Sequence, residues 1–214
     1  VDNVLINDFH TVTINAVNQG VNNLTLNGTL TYATAPTSFG VLGNLTIGDG
    51  GLVNVFEGTV GKTLTVSGNI VNNGVVDISV GTTTAGNLTL NGAAVQTVSG
   101  TGQFNFDVIR NLTFSNTNTA IPNINWLVDN VKIANNLNIT GARINLASNN
   151  LTFGNNAAGG TLTAPIGSGF LPGGKFSRWW SATFIGTTIT GGSSPTGTAS
   201  SYPFLDATGL NRAM

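Results

Sequence analysis

The sequence predicts an all-β protein, a right-handed parallel β-helix with a C-terminal aromatic-rich cap or extension. Three observations lead there. One four-residue phrase recurs along most of the chain, apolar and small polar residues alternate inside it, and turn-forming residues fill the gaps. The phrase reads Asn23-Leu24-Thr25-Leu26, Asn44-Leu45-Thr46-Ile47, Thr63-Leu64-Thr65-Val66 and Asn87-Leu88-Thr89-Leu90. It returns as Asn111-Leu112-Thr113-Phe114, Asn136-Leu137-Asn138-Ile139, Asn150-Leu151-Thr152-Phe153 and Thr161-Leu162-Thr163-Ala164. The central leucines are 21, 19, 24, 24, 25, 14 and 11 residues apart. A period near this length belongs to solenoids, in which no unit buries its apolar face until its neighbours stack on it.

Alternation with a period of two places Leu24 and Leu26 on one side of a strand and Asn23, Thr25 and Asn27 on the other. Branching at Cβ suits Thr and Val to a pleated surface. Between phrases stand Asn27-Gly28, Gly48-Asp49-Gly50-Gly51, Asn72-Asn73-Gly74 and Asn91-Gly92. These residues accept positive φ and turn the chain cheaply. No stretch carries a capped 3.6-residue apolar pattern, so no helix is expected. Short alternating strands fit a sandwich or a parallel β-helix. Recurrence of one phrase in one orientation favours the β-helix, with Leu24, Leu45, Leu64, Leu88 and Leu112 in a single inward ladder. A right hand follows from the general preference of parallel crossovers. At about 4.8 Å per coil, eight to ten coils would make a rod of about 40–50 Å.

Residues 1–20 read as two strands that open the stack, and 1–164 as the β-helix repeats. Residues 120–126, ending at Trp126, break the phrase and read as a longer loop or a bulged coil. From Pro165 the texture changes to Pro, Gly and aromatics, and 165–214 read as a cap or extension of the solenoid, with a strand pair at 182–185 and 187–190 and a flexible run at 191–201. An open solenoid end exposes core and strand edges, which natural proteins cover. One of Trp179 and Trp180 is expected to be buried against the last coil.

Composition narrows the function. Only 7% of the residues are charged and the net charge is −1, against about 25% charged residues in ordinary globular domains. The seven basic residues are scattered, so no basic patch exists for a phosphate backbone and nucleic-acid binding is disfavoured. Cysteine is absent, which excludes disulfides and thiolate metal sites. No apolar run approaches the roughly 20 residues of a membrane span. No charged n-region or signal-like apolar stretch stands at Val1, and the chain reads as a segment of something longer.

Val12-Thr13-Ile14 followed by Asn23-Leu24-Thr25-Leu26-Asn27-Gly28-Thr29-Leu30 resembles the coils of very large surface and secreted proteins of Bacteroidota. Leu64-Thr65-Val66-Ser67-Gly68-Asn69-Ile70, Val71-Asn72-Asn73-Gly74 and Gly100-Thr101-Gly102-Gln103-Phe104 are similar to the same group. The resemblance covers most of 1–164 and extends to the tail around 173–180 and 202–211. It implies export by the type IX pathway and display at the cell surface, or release, as an adhesin-like β-helix.

Candidate chemistry is sparse. His10 is the only histidine, and Asp8 lies two residues away, on the same face of an apparent strand. A metal site needs three or four converging ligands, so a hydrogen-bonded surface His is the simpler reading. No Gly-x-Ser-x-Gly elbow accompanies it. β-Helices also carry polysaccharide lyases and glycosidases, and a glycosidase needs two carboxyls roughly 5–9.5 Å apart. The acids are Asp2, Asp8, Asp49, Glu57, Asp77, Asp107, Asp129 and Asp206. Neighbouring coils could pair Asp49 with Asp77, yet most of these acids sit beside turns, where Asp bonds its own backbone. Neither a metal nor a cofactor is expected. Matches of Asn-Leu-Thr to the N-glycosylation pattern follow from strand composition. Outward Thr rows raise ice binding, which would require a flat, unbroken Thr ladder. Arg178, Trp179 and Trp180, with Tyr202, form the one cluster that resembles a sugar platform, since aromatic faces stack on sugars and Arg stacks or pairs.

The expected function is a non-catalytic structural or adhesive segment of a large exported surface protein, acting as a stalk or broad binding face. Its expected partners are neighbouring domains of the same longer chain and surface glycans or other cell-surface proteins. The alternatives are a carbohydrate-active β-helix enzyme or carbohydrate-binding module, and an ice-binding protein.

Overall fold

The computed structural model describes residues 1–16, 18–33, 38–54, 61–78, 86–154, 160–179, 190–191 and 201–210, with the backbone alone at 106, 107, 190, 191, 201 and 202. The chain is an all-β parallel solenoid, and no helix occurs among the described residues. Each coil visits three faces in turn. Face one is an eight-stranded sheet built from Val4–Ile6, Leu24–Leu26, Leu45–Ile47, Ile70–Asn72, Gln96–Ser99, Ile124–Trp126, Arg143–Asn145 and Gly169–Phe170. Every pairing in it is parallel, so it is about 34 Å long.

Faces two and three belong to one thirteen-stranded sheet. Face two begins with Thr11–Ile14, Thr29–Tyr32, Leu52–Asn54 and Val75–Ile78, and face three with Gln19–Val21, Ser38–Val41, Thr63–Val66 and Asn87–Leu90. Two long strands, Gln103–Phe114 and Val131–Ile139, serve both faces and bend round the corner between them without leaving the ladder. Register shifts between Ile109 and Asn111 mark the bend. An extra residue in one strand raises local twist, which lets a strand turn a corner. Face two then continues in Asn150–Phe153 and Lys175–Arg178, and face three in Thr161–Thr163.

All eight phrase leucines point inward and are at most 2% exposed. They do not share one ladder, which corrects the sequence expectation. Leu24 and Leu45 stack on face one, continuing to Ile70, Val98 and Trp126. Leu64, Leu88, Leu112, Leu137 and Leu162 stack on face three above Phe39. Leu151 stands on face two, between Val131 and Phe176. The phrase specifies a strand with one buried side, and any of the three faces accepts such a strand. Residues 1–20 hold a third strand, Gln19–Val21, besides the two expected.

The interrupted stretch at 120–126 resolves into a loop with a cis Ile121–Pro122 bond and then the face-one strand Ile124–Trp126. Trp126 is fully buried, 6.0 Å from the Phe104 ring and edge-on to Phe114 at 5.8 Å. Aromatic packing of this kind fills the wide centre where three faces converge.

The ladders run on past 164 through Gly169–Phe170 and Lys175–Arg178. Phe170 stacks on Phe176 at 4.5 Å, and Phe204 meets Phe176 edge-on at 6.4 Å. Pro203 and Leu205 bracket Phe170 by backbone hydrogen bonds, and Leu205 is buried. Phe170, Phe176 and Phe204 thus form one aromatic cluster at the end of the described ladders, with Leu205 buried next to it. Trp179 is 47% exposed, so it is not the buried tryptophan expected there, and Trp180 lies outside the described residues. The expected strands at 182–185 and 187–190 and the run 191–201 also fall largely outside them. Within them only Thr190–Gly191 is described, paired with Ser201–Tyr202.

Replacing Leu88 with Asp should unfold at least the adjoining coils, because an unpaired buried carboxylate costs several kcal/mol. Thr89→Asp, one residue away on the outer side, should change stability by no more than about 0.5 kcal/mol. Thermal unfolding of the two variants side by side checks the assignment, and equal stabilities would refute it.

Candidate functional site

The asparagines that open the phrases have a structural task. Asn3 Oδ1 accepts the backbone N–H of Asn23, Asn23 Oδ1 that of Asn44, Asn44 Oδ1 that of Asn69, and Asn69 Oδ1 that of Thr97, at 2.7–3.2 Å. Each side chain thus satisfies a corner donor of the following coil. Gly43 is required here, since a Cβ on it would collide with Asn23 Oδ1. A second ladder stands at the start of face three. Asn111 Nδ2 donates to Asn87 Oδ1 at 2.8 Å, and the Nδ2 groups of Asn135 and Asn136 donate to Asn111 Oδ1. Buried amides brace other corners. Gln96 donates to the Val66 and Gly68 carbonyls and accepts from Gly92 N–H, while Asn123 donates to the Asn118 and Gly141 carbonyls.

Asp8 and His10 lie in the tight turn between the first two strands, where His10 N–H donates to the Asn7 carbonyl, and not on a strand. His10 Nδ1 sits 2.9 Å from the Asp8 backbone carbonyl. The imidazole therefore donates to main chain at that nitrogen, and Asp8 offers no carboxylate partner through this contact. Asp129 accepts from Asn150 N–H and Nδ2 and from Asn130 Nδ2. The Asn150 backbone bond holds its carboxyl below the usual range. Asp206 accepts from the N–H groups of Thr208 and Leu210 and from the Thr208 hydroxyl. Both acids perform turn duty.

Asp49 lies at the corner between faces one and two, in the turn closed by Gly51 N–H to the Gly48 carbonyl. Asp77 is on face two and accepts from Asn105 Nδ2 at 2.8 Å. Glu57 lies outside the described residues, and the Asp107 side chain is not described. Among the described residues no three of His, Cys, Asp and Glu converge on a point that could hold a metal ion.

Arg178 and Trp179 do not share a surface. Arg178 is inward, the last member of the row Ile109, Ile133, Phe153, and its guanidinium lies 5.4 Å from the centre of the Phe153 ring. Trp179 follows on the outside. The side chains of Trp180 and Tyr202 are not described. Alternation along a strand was the signal that separates neighbours in this way.

Outward Thr residues align on face three as Thr65, Thr89 and Thr113, between Gly40 and Asn138, with Thr163 beyond. The row is interrupted and short of the unbroken Thr ladder that ice binding calls for.

One cluster had no signature in the sequence. Lys62, 2% exposed, donates from Nζ to the Ala33 carbonyl at 2.8 Å, and the buried Tyr32 hydroxyl donates to the Thr63 carbonyl at 3.1 Å. Desolvation lowers the Lys62 ammonium and raises the Tyr32 phenol well above its ordinary range. Both side chains brace the corner between faces two and three. Comparison of the chain with protein-family models, with curated proteins and with solved structures finds no match.

Two measurements follow. Asn44→Ala leaves the Asn69 corner donor to water and should cost about 1 kcal/mol in denaturant unfolding. For Tyr32 the folded pKa is raised, so above about pH 10 the unfolded chain loses a proton that the folded chain keeps, and stability falls with pH. The stability difference between wild type and Tyr32→Phe should stay constant below that pH and shrink above it. A difference independent of pH would show that Tyr32 is not buried.

Proposed function

We propose that this chain is a non-catalytic structural and adhesive segment of a large exported protein, held at the cell surface as a stalk and a broad polar face. The observation that carries this reading is the asparagine ladder from Asn3 to Asn69. It satisfies corner donors with neutral side chains, so the corners of successive coils are joined without charged groups. Turn duty at Asp129 and Asp206 and the main-chain bond of His10 support a non-catalytic role. The resemblance to surface proteins of Bacteroidota supports type IX export and an extracellular location. Its partners are neighbouring domains of the same longer chain and glycans of the cell surface.

Antibodies raised against the chain should label intact, unpermeabilised cells of the source organism, and protease shaving of those cells should release or degrade the antigen. Labelling that appears only after permeabilisation would sink the proposal.

A further inference from the structure

The corner between faces one and two is grooved over much of its length. A depression of about 500 Å³ is lined by Asp8, Phe9, Asn27, Asp49 and Gly50. The next, of about 250 Å³, shares Asp49 and passes over Asn73 and Thr101. A third, of about 290 Å³, shares Thr101 and ends at Leu127, Asp129 and Asn149. From the turn at Asp8 to that at Asp129 the groove crosses six successive coils, about 24 Å at the spacing of paired strands.

The first depression has the character of a binding site. Phe9 is fully exposed and stands at φ 64°, a left-handed conformation that bulky residues rarely adopt. The turn thus presents an aromatic ring to solvent. Asp8 and Asp49 line the same depression, and their carboxylates accept no hydrogen bond from any described residue, unlike Asp129 and Asp206. Asn27 packs its Oδ1 against Gly48, where a Cβ would displace it. A ring face with strong acceptors beside it suits a sugar, whose C–H face stacks on the ring while its hydroxyls donate to carboxylate. Among the described residues no Lys or Arg lines any of the three depressions, so an acidic polymer would meet like charge without compensation. A peptide would need an unpaired strand edge or apolar pockets. This corner runs between strands paired coil to coil, its first two depressions are lined mainly by Gly, Asn, Asp and Thr, and the apolar Leu127, Val128 and Val131 enter only at its far end.

We propose that this corner binds an extended, non-acidic oligosaccharide, with Phe9 as the stacking platform and Asp8 and Asp49 as acceptors for sugar hydroxyls. The inference rests on the reading of the chain as a surface adhesive segment and names its ligand class and site.

The test is calorimetric titration of the whole chain with neutral tetrasaccharides of glucose, xylose, mannose and N-acetylglucosamine, with a glucosamine tetrasaccharide, and with a galacturonic acid tetrasaccharide. At least one non-acidic sugar should bind and the acidic one should not. Phe9→Ala should weaken binding about tenfold or more, as expected for loss of a stacking ring, and Asp49→Asn should weaken it with unchanged thermal unfolding, since both side chains are exposed. Absence of binding by every non-acidic sugar, binding unaffected by Phe9→Ala, or preference for the acidic sugar would overturn the inference. Surface labelling of cells is independent of these titrations. Labelled cells with no sugar binding would remove this site and leave the surface role, while sugar binding without labelling would do the reverse.

Discussion

In-register parallel pairing is the constraint on which everything else in this molecule depends. Each strand hydrogen-bonds to its equivalents in the coils before and after, so like positions meet like positions along the axis. An apolar residue at an inward position is covered only if its counterparts are apolar too. A polar corner residue is satisfied only if the next coil offers the complementary group. The recurrence of the phrase is the chemical consequence: Leu64, Leu88 and Leu112 can be close neighbours because the chain writes the same residue at each return.

Much of this was legible before the structure. Strict alternation marked which residues of each phrase are buried, and Asn–Gly pairs marked the corners. Assignment to a face was not legible, because Leu24 on face one, Leu151 on face two and Leu88 on face three stand in nearly identical local text. Local sequence encodes a strand and its buried side, whereas face depends on how many residues the preceding corners consume. The long strands Gln103–Phe114 and Val131–Ile139 are the extreme case, with no turn residues spent at one corner at all.

Residues that break the pattern were the least legible. Trp126 looked like a loop aromatic and is central to the core. Lys62 precedes a phrase as an ordinary surface lysine would, yet it is buried against the Ala33 carbonyl. Arg178 and Trp179 read as a pair and stand on opposite sides of one strand. The groove beside Phe9 was invisible for a different reason. It depends on a left-handed backbone at one residue and on Asp8 and Asp49, 41 positions apart in the chain, lining one depression from turns two coils apart.

The asparagine ladder also has a direction. In each step the side-chain oxygen belongs to the earlier coil and the N–H to the later one. The acceptor asks nothing of the residue above it except a backbone amide, which nearly every amino acid supplies; Thr97 serves as well as Asn69. A duplicated coil spliced between two others would find an acceptor waiting beneath it and offer one to the coil above. Length in such a chain is therefore free to grow or shrink by whole coils through gene duplication and loss, without new contacts having to be invented at the junctions.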